Sequence, residues 1–153
     1  MATVRKFEDL LCWQKSRELV KATYGALNNC RDNGFKDQIQ RAAVSVMSNI
    51  AEGFESGTKQ EFLNYLFIAK GSAGEVRAQL YAAHDIGYLN IEKFKYLNGL
   101  ATECSKLISS FVKGLKTSNF QGLQYKAAPK EDPIKELTRE RSPELFKKFY
   151  PNG

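Results

Sequence analysis

Arg41, Ser45, Asn49 and Glu52 recur at spacings of four, four and three residues. On a helix that spacing puts all four on one face. The face lies beside an apolar stripe of Ile39, Ala42, Ala43, Val46, Met47, Ile50, Ala51 and Phe54. Ser72 and Glu75 stand one turn apart in a later helical segment. Two kinds of chemistry suit these groups. They form a hydrogen-bonded network that fixes helix register or subunit packing, or they line a polar pocket for a ligand or nucleotide. A charge near a core costs several kcal/mol unless it is paired. Arg41 is therefore expected to find a carboxylate, with Glu75 and Glu52 the candidates.

A catalytic site is harder to assemble. No nucleophile stands beside a base in a recognisable setting. His84, next to Asp85 near a helix end, reads as a surface residue compatible with the helix dipole. One histidine and three scattered cysteines, Cys12, Cys30 and Cys104, argue against a zinc site and a disulfide framework. No Glu-x-x-His pair is present, which disfavours di-iron bundle chemistry. The segment AKGSAGE at 69–75 lacks the spacing of a phosphate loop and reads as helix interior. The expectation is a protein that is not an enzyme, with no metal and no cofactor.

The cations point elsewhere. Lys70 and Arg77 are seven residues apart, as are Lys106 and Lys113, and Lys15, Arg17 and Lys21 cluster near the start of the chain. If these align on one rim, they make sequence-nonspecific, salt-sensitive contacts to nucleic-acid backbone. A solvated helix face is the alternative. The net charge of +6, from 23 Lys and Arg against 17 Asp and Glu, moderately favours a polyanionic partner. Tyr65, Tyr81 and Tyr96 are candidates for base stacking, with bundle packing as the competing role.

These residues need helices to position them. All four prolines fall after residue 128, so the preceding chain suits long uninterrupted helices. Apolar periodicity predicts a first helix from about Asp9 to 28–30, with Leu10, Trp13, Val20, Tyr24 and Leu27 inward, widened by Leu19 and Ala26. A turn-rich loop through Gly34 follows. The second helix is expected over about 36–54, with Gly57 as its stop and Thr58 with Glu61 as a capping box for the third. The third runs over about 59–86, and the fourth begins after Asn90 and reaches about Lys116. Gly71 and Gly74, inside the third, signal either close approach of another backbone or a tolerated kink. Short connections predict an all-α, up-down-up-down antiparallel four-helix bundle over 1–116.

A C-terminal tail, 117–153, follows. It holds the prolines, mixed charge and a short helix beginning near Ser142 and Pro143 and running through Phe149, where Leu145, Phe146, Phe149 and Tyr150 offer apolar anchors. The tail binds a partner or neighbouring subunit, or it is a flexible extension. No apolar run approaches the ~20 residues that span a bilayer, and the N-terminus lacks a signal-peptide core, so the expected location is the cytoplasm, with no membrane partner.

FEDLLCWQKSRELV at 7–20, R-A-A-x-S at 41–45, N-I-A-E-G at 49–53 and G-S-x-x-E at 71–75 occur in order and in register. Through them the chain, from about 7 to 116, resembles the four-helix-bundle family of 23S rRNA intervening-sequence proteins. A related branch comprises the accessory variability determinants of diversity-generating retroelements. The resemblance implies a ring of five copies. It offers two settings: a protein encoded in an insertion within ribosomal RNA genes, or the partner of a reverse transcriptase that supports cDNA synthesis from a template RNA. The implied function is a ring-forming adaptor for RNA or an RNA/DNA hybrid. The alternative is a structural oligomer with no nucleic-acid role. Trp13 matches the family's tryptophan near the start of helix one, where it closes the end of the bundle or the subunit contact.

Overall fold

The computed structural model describes residues 4–120, 139 and 143–149. A 3-10 turn at Phe7–Asp9 leads into four long helices: α1 Leu11–Ala26, α2 Asn33–Glu55, α3 Lys59–Ile86 and α4 Ile91–Thr117. A short helix, α5 Pro143–Phe149, lies in the tail. No strand occurs among the described residues. α1 packs on α2 and α4, and α3 packs on the same two, so α1 and α3 are diagonal and do not touch. This is the expected antiparallel bundle.

The caps explain where the helices begin and stop. The Asp32 carboxylate accepts from the Phe35 amide at 3.1 Å, so α2 starts three residues before the apolar stripe implied. Thr58 Oγ1 accepts from the Glu61 amide, and Asn90 Oδ1 from the Lys93 amide. Gly87 adopts a left-handed φ of 93°, with its own amide and that of Tyr88 closing on the last carbonyls of α3. At the other end Leu10 is extended and buried, which interrupts the helix expected from Asp9 and turns the 3-10 segment across α1 and α2.

The core is two apolar clusters stacked along the bundle axis. One gathers Leu19, Leu27, Ile39, Leu80, Leu97 and Leu100 near the α1–α2 and α3–α4 connections. The other gathers Leu10, Ile50, Phe54, Phe62, Leu66 and Ile108 near the α2–α3 turn. Truncating one such leucine to alanine costs about 2–5 kcal/mol. The buried face of α1 differs from expectation. Cys12, Ser16, Leu19 and Thr23 point inward, whereas Tyr24 is exposed and Trp13 and Val20 are half-buried. The hydroxyls of Ser16 and Thr23 donate to the Trp13 and Leu19 carbonyls at 2.7 Å each. Satisfied within their own helix, they pack as small apolar groups.

Candidate functional site

The polar spacing of α2 resolves into a seam with α3. Ser45 Oγ and Ser72 Oγ are 2.9 Å apart across the two helices, and Ser72 is buried. Asn49 Nδ2 donates to the Ser45 carbonyl at 2.8 Å and to its hydroxyl at 2.9 Å. One turn further, the Tyr65 hydroxyl donates to Glu52 at 3.3 Å. The Glu52 carboxylate holds the Tyr65 phenol above its ordinary range. Ser45 with Ser72, and Glu52 with Tyr65, thus bridge the two helices, while Asn49 holds Ser45 from within α2.

Gly53 makes that approach possible, and side-chain spacing along α2 alone does not mark it. A Cβ there would lie 2.6 Å from Tyr65 Cβ and 3.0 Å from Phe62 Cδ2. Its signal was the glycine ending N-I-A-E-G. Gly71 and Gly74 are not close-approach positions: added Cβ atoms meet nothing within 4 Å.

Arg41 stands outside this network. It pairs with Asp37 at 2.9 Å, one turn back on its own helix, and its side chain is 80% exposed. Neither Glu52 nor Glu75 is its partner, because the Arg41 side chain points to solvent, where no burial forces a cross-helix pair. Glu75 is exposed and accepts from Gln79. Trp13 packs edge-on against Phe7 at 5.1 Å and carries the Arg17 guanidinium 5.7 Å above its ring, at the end of the bundle. His84 Nδ1 lies 3.1 Å from the Leu89 carbonyl and its ring stacks on Phe94.

The basic residues do not form one rim. Lys15, Arg17 and Lys21 ride on α1, diagonal to Lys70 and Arg77 on α3. Lys15 is bound to Glu18 at 2.9 Å and Glu103 at 3.7 Å, and the Glu18 hydrogen bond leads in raising its pKa. On the other side, Phe67, Lys70, Gly74, Arg77 and Tyr81 make one stripe of α3. Its ends meet α4, with the Lys116 ammonium 5.3 Å from the Phe67 ring and Tyr81 on Phe94 at 4.9 Å. Antiparallel packing then sets Lys70 level with Lys113, and Arg77 level with Asn98. Lys70, Arg77, Lys106 and Lys113 form no ion pair among the described residues. Arg77 Nε and Asn98 Oδ1 are both buried without a hydrogen-bond partner.

The solvent face of α3 is also unusually apolar. Phe67, Ile68 and Tyr81 are about half exposed, and Gly71, Gly74 and Ala78 lie between them. No group of three or more His, Cys, Asp or Glu suited to a metal occurs among the described residues. No described helix is long and apolar enough to cross a membrane.

The family of 23S rRNA-intervening sequence proteins matches residues 8–110. The chain belongs to that family. A solved structure of a protein of unknown function from the S23 ribosomal protein family, from Bacteroides thetaiotaomicron, is similar at 25% identity. The likeness covers 67% of this chain and 96% of that one, with a TM-score of 0.63. No curated protein matches the chain. The part shared with the 23S rRNA-intervening sequence proteins takes in the whole α2–α3 seam, Trp13, Arg41, Glu75 and all seven cations except Lys113. The tail lies beyond it.

Proposed function

We propose that this family member is a non-enzymatic, ring-forming adaptor that binds nucleic acid, RNA or an RNA/DNA hybrid, through the cations of α3 and α4. The observation that carries the reading is the set Lys70, Arg77, Lys106 and Lys113, which has no carboxylate partner among the described residues, while on α1 Lys15 is neutralised twice over and Arg17, seated over Trp13, and Lys21 are the cations left without one. Unpaired cations beside exposed aromatic rings suit a phosphate backbone and stacked bases. Phe67 and Tyr81 supply such rings at either end of the stripe.

The apolar outer face of α3 supports assembly. In a ring of five, the number the family resemblance implies, each protomer brings the same cations, and linked weak contacts reinforce one another. An Ile68→Glu substitution, on the exposed stripe beside the cations, is expected to reduce the assembled mass measured by light scattering while leaving helicity intact. The finer reading makes the ring the partner of a reverse transcriptase in a retroelement.

The deciding experiment is to crosslink the protein in its native host at low salt and sequence the nucleic acid bound to it. An enriched retroelement template supports the reverse-transcriptase setting, and an enriched ribosomal insertion supports the intervening-sequence setting. No enrichment above total RNA refutes nucleic-acid binding and leaves a structural oligomer.

A further inference from the structure

At the α2–α3 end of the bundle lies a groove of about 820 Å³. Leu10, Phe54, Phe62 and Phe111 form its walls and floor, and Leu11, 67% exposed, stands on its rim. The aromatic floor is already built: Phe62 is 5.7 Å from Phe54 and 5.5 Å from Phe111, ring to ring. An apolar cavity of this size on a protein surface is ordinarily filled by a ligand or by another polypeptide. None of the polar seam or the α3 and α4 cations lines it, so its occupant is a separate question from nucleic-acid binding.

The chain itself supplies a candidate. Phe120 lines the groove and packs on Phe62 at 6.2 Å, so the polypeptide leaves the bundle from the groove's own wall. Beyond it, α5 begins at Pro143, with 22 residues between it and Phe120. Full extension of that stretch reaches about 75 Å, well over the ~40 Å length of a 27-residue helix such as α4. Leu145, Phe146 and Phe149 fall at i, i+1 and i+4 of α5, a helical face. A helix of seven residues is not stable alone in water and needs a surface to hold it. The charges also agree. Exposed Lys147 and Lys148 belong to α5, while Asp9 lines the groove and Glu8 adjoins it.

We propose that this groove is the docking site of the chain's own helix α5, with Lys147 and Lys148 on the side of Glu8 and Asp9. The docked helix closes the open end of the lower core cluster and joins the tail to the 3-10 turn and α1.

The test uses the full chain carrying the photo-crosslinker p-benzoylphenylalanine in place of the exposed rim residue Leu11. Normal and 15N-labelled chains are mixed before irradiation, and the linked peptides are identified by mass spectrometry. The expected product joins position 11 to residues 143–149 of the same chain, and its yield falls at least tenfold in the Phe146→Asp variant. Phe146 lies outside the bundle, so that variant keeps its fold. A link to any other segment, links only between chains, no link, or an undiminished yield in Phe146→Asp overturns the proposal.

Discussion

Replacing Gly53 by alanine tests the α2–α3 seam most sharply. The added methyl would lie 2.6 Å from Tyr65 Cβ and 3.0 Å from Phe62 Cδ2, against the ~3.5–4.0 Å of an ordinary carbon contact. Tyr65 Cβ is fixed to its backbone, so rotation of the side chain does not relieve the overlap. The helices must part by roughly 1 Å at this level, and overpacking of that kind costs about 1–3 kcal/mol. Alanine's better helix propensity returns roughly 1 kcal/mol. The net expectation is a loss of about 0–2 kcal/mol, or up to about 8 °C in Tm for a bundle of this size. Gly99→Ala is the control. It makes the same change on the exposed face of α4, where no atom lies within 4 Å, and is expected to stabilise by up to ~1 kcal/mol. Thermal melts of the full chain followed by circular dichroism read both. A Gly53→Ala protein stabilised as much as Gly99→Ala would refute the close-approach argument.

Two other outcomes follow from the same geometry. Ser72→Ala removes the partner of Ser45 across the seam and is expected to cost about 1 kcal/mol, while Arg41→Met, which breaks only an exposed pair, is expected to stay within ~0.5 kcal/mol; urea midpoints compare them. Burial pushes the Cys12 and Cys104 thiols up to about 11 and about 12 from 9.0. Because the folded state holds these protons longer, their contribution to stability is complete below about pH 9 and declines as the pH rises toward 11 and 12. Iodoacetamide at pH 8 is accordingly expected to modify half-buried Cys30 first.

Most of the fold was legible because apolar period and capping chemistry agree. Thr58, Asn90 and Gly87 mark helix ends by side-chain and backbone rules that act within a few residues. The inward face of α1 was not legible. Periodicity weighs Tyr24 and Trp13 as apolar, whereas the structure buries Ser16 and Thr23, whose hydroxyls are spent on their own helix. At the site, the α2 spacing gathers Ser45 and Asn49, which hydrogen-bond to each other within α2. It misplaces Arg41, because one face of a helix spans both a buried flank and an exposed one. Whether the cations share one rim is not legible either, since only tertiary packing tells that α1 and α3 are diagonal. Gly53 was hidden for the same reason: a close approach is a property of two helices.

The central claim is that phosphate contacts are made from α3 and α4. A salt titration of RNA binding tests it, comparing the parent with Lys70→Gln/Arg77→Gln and with Lys15→Gln/Lys21→Gln. Four cations per protomer predict a slope of about −3 in log affinity against log salt. The α3 double variant is expected to lose about 1–2 of that slope, and the α1 variant to leave it nearly unchanged. Equal losses from both variants, or no salt-dependent binding by the parent, contradict the account.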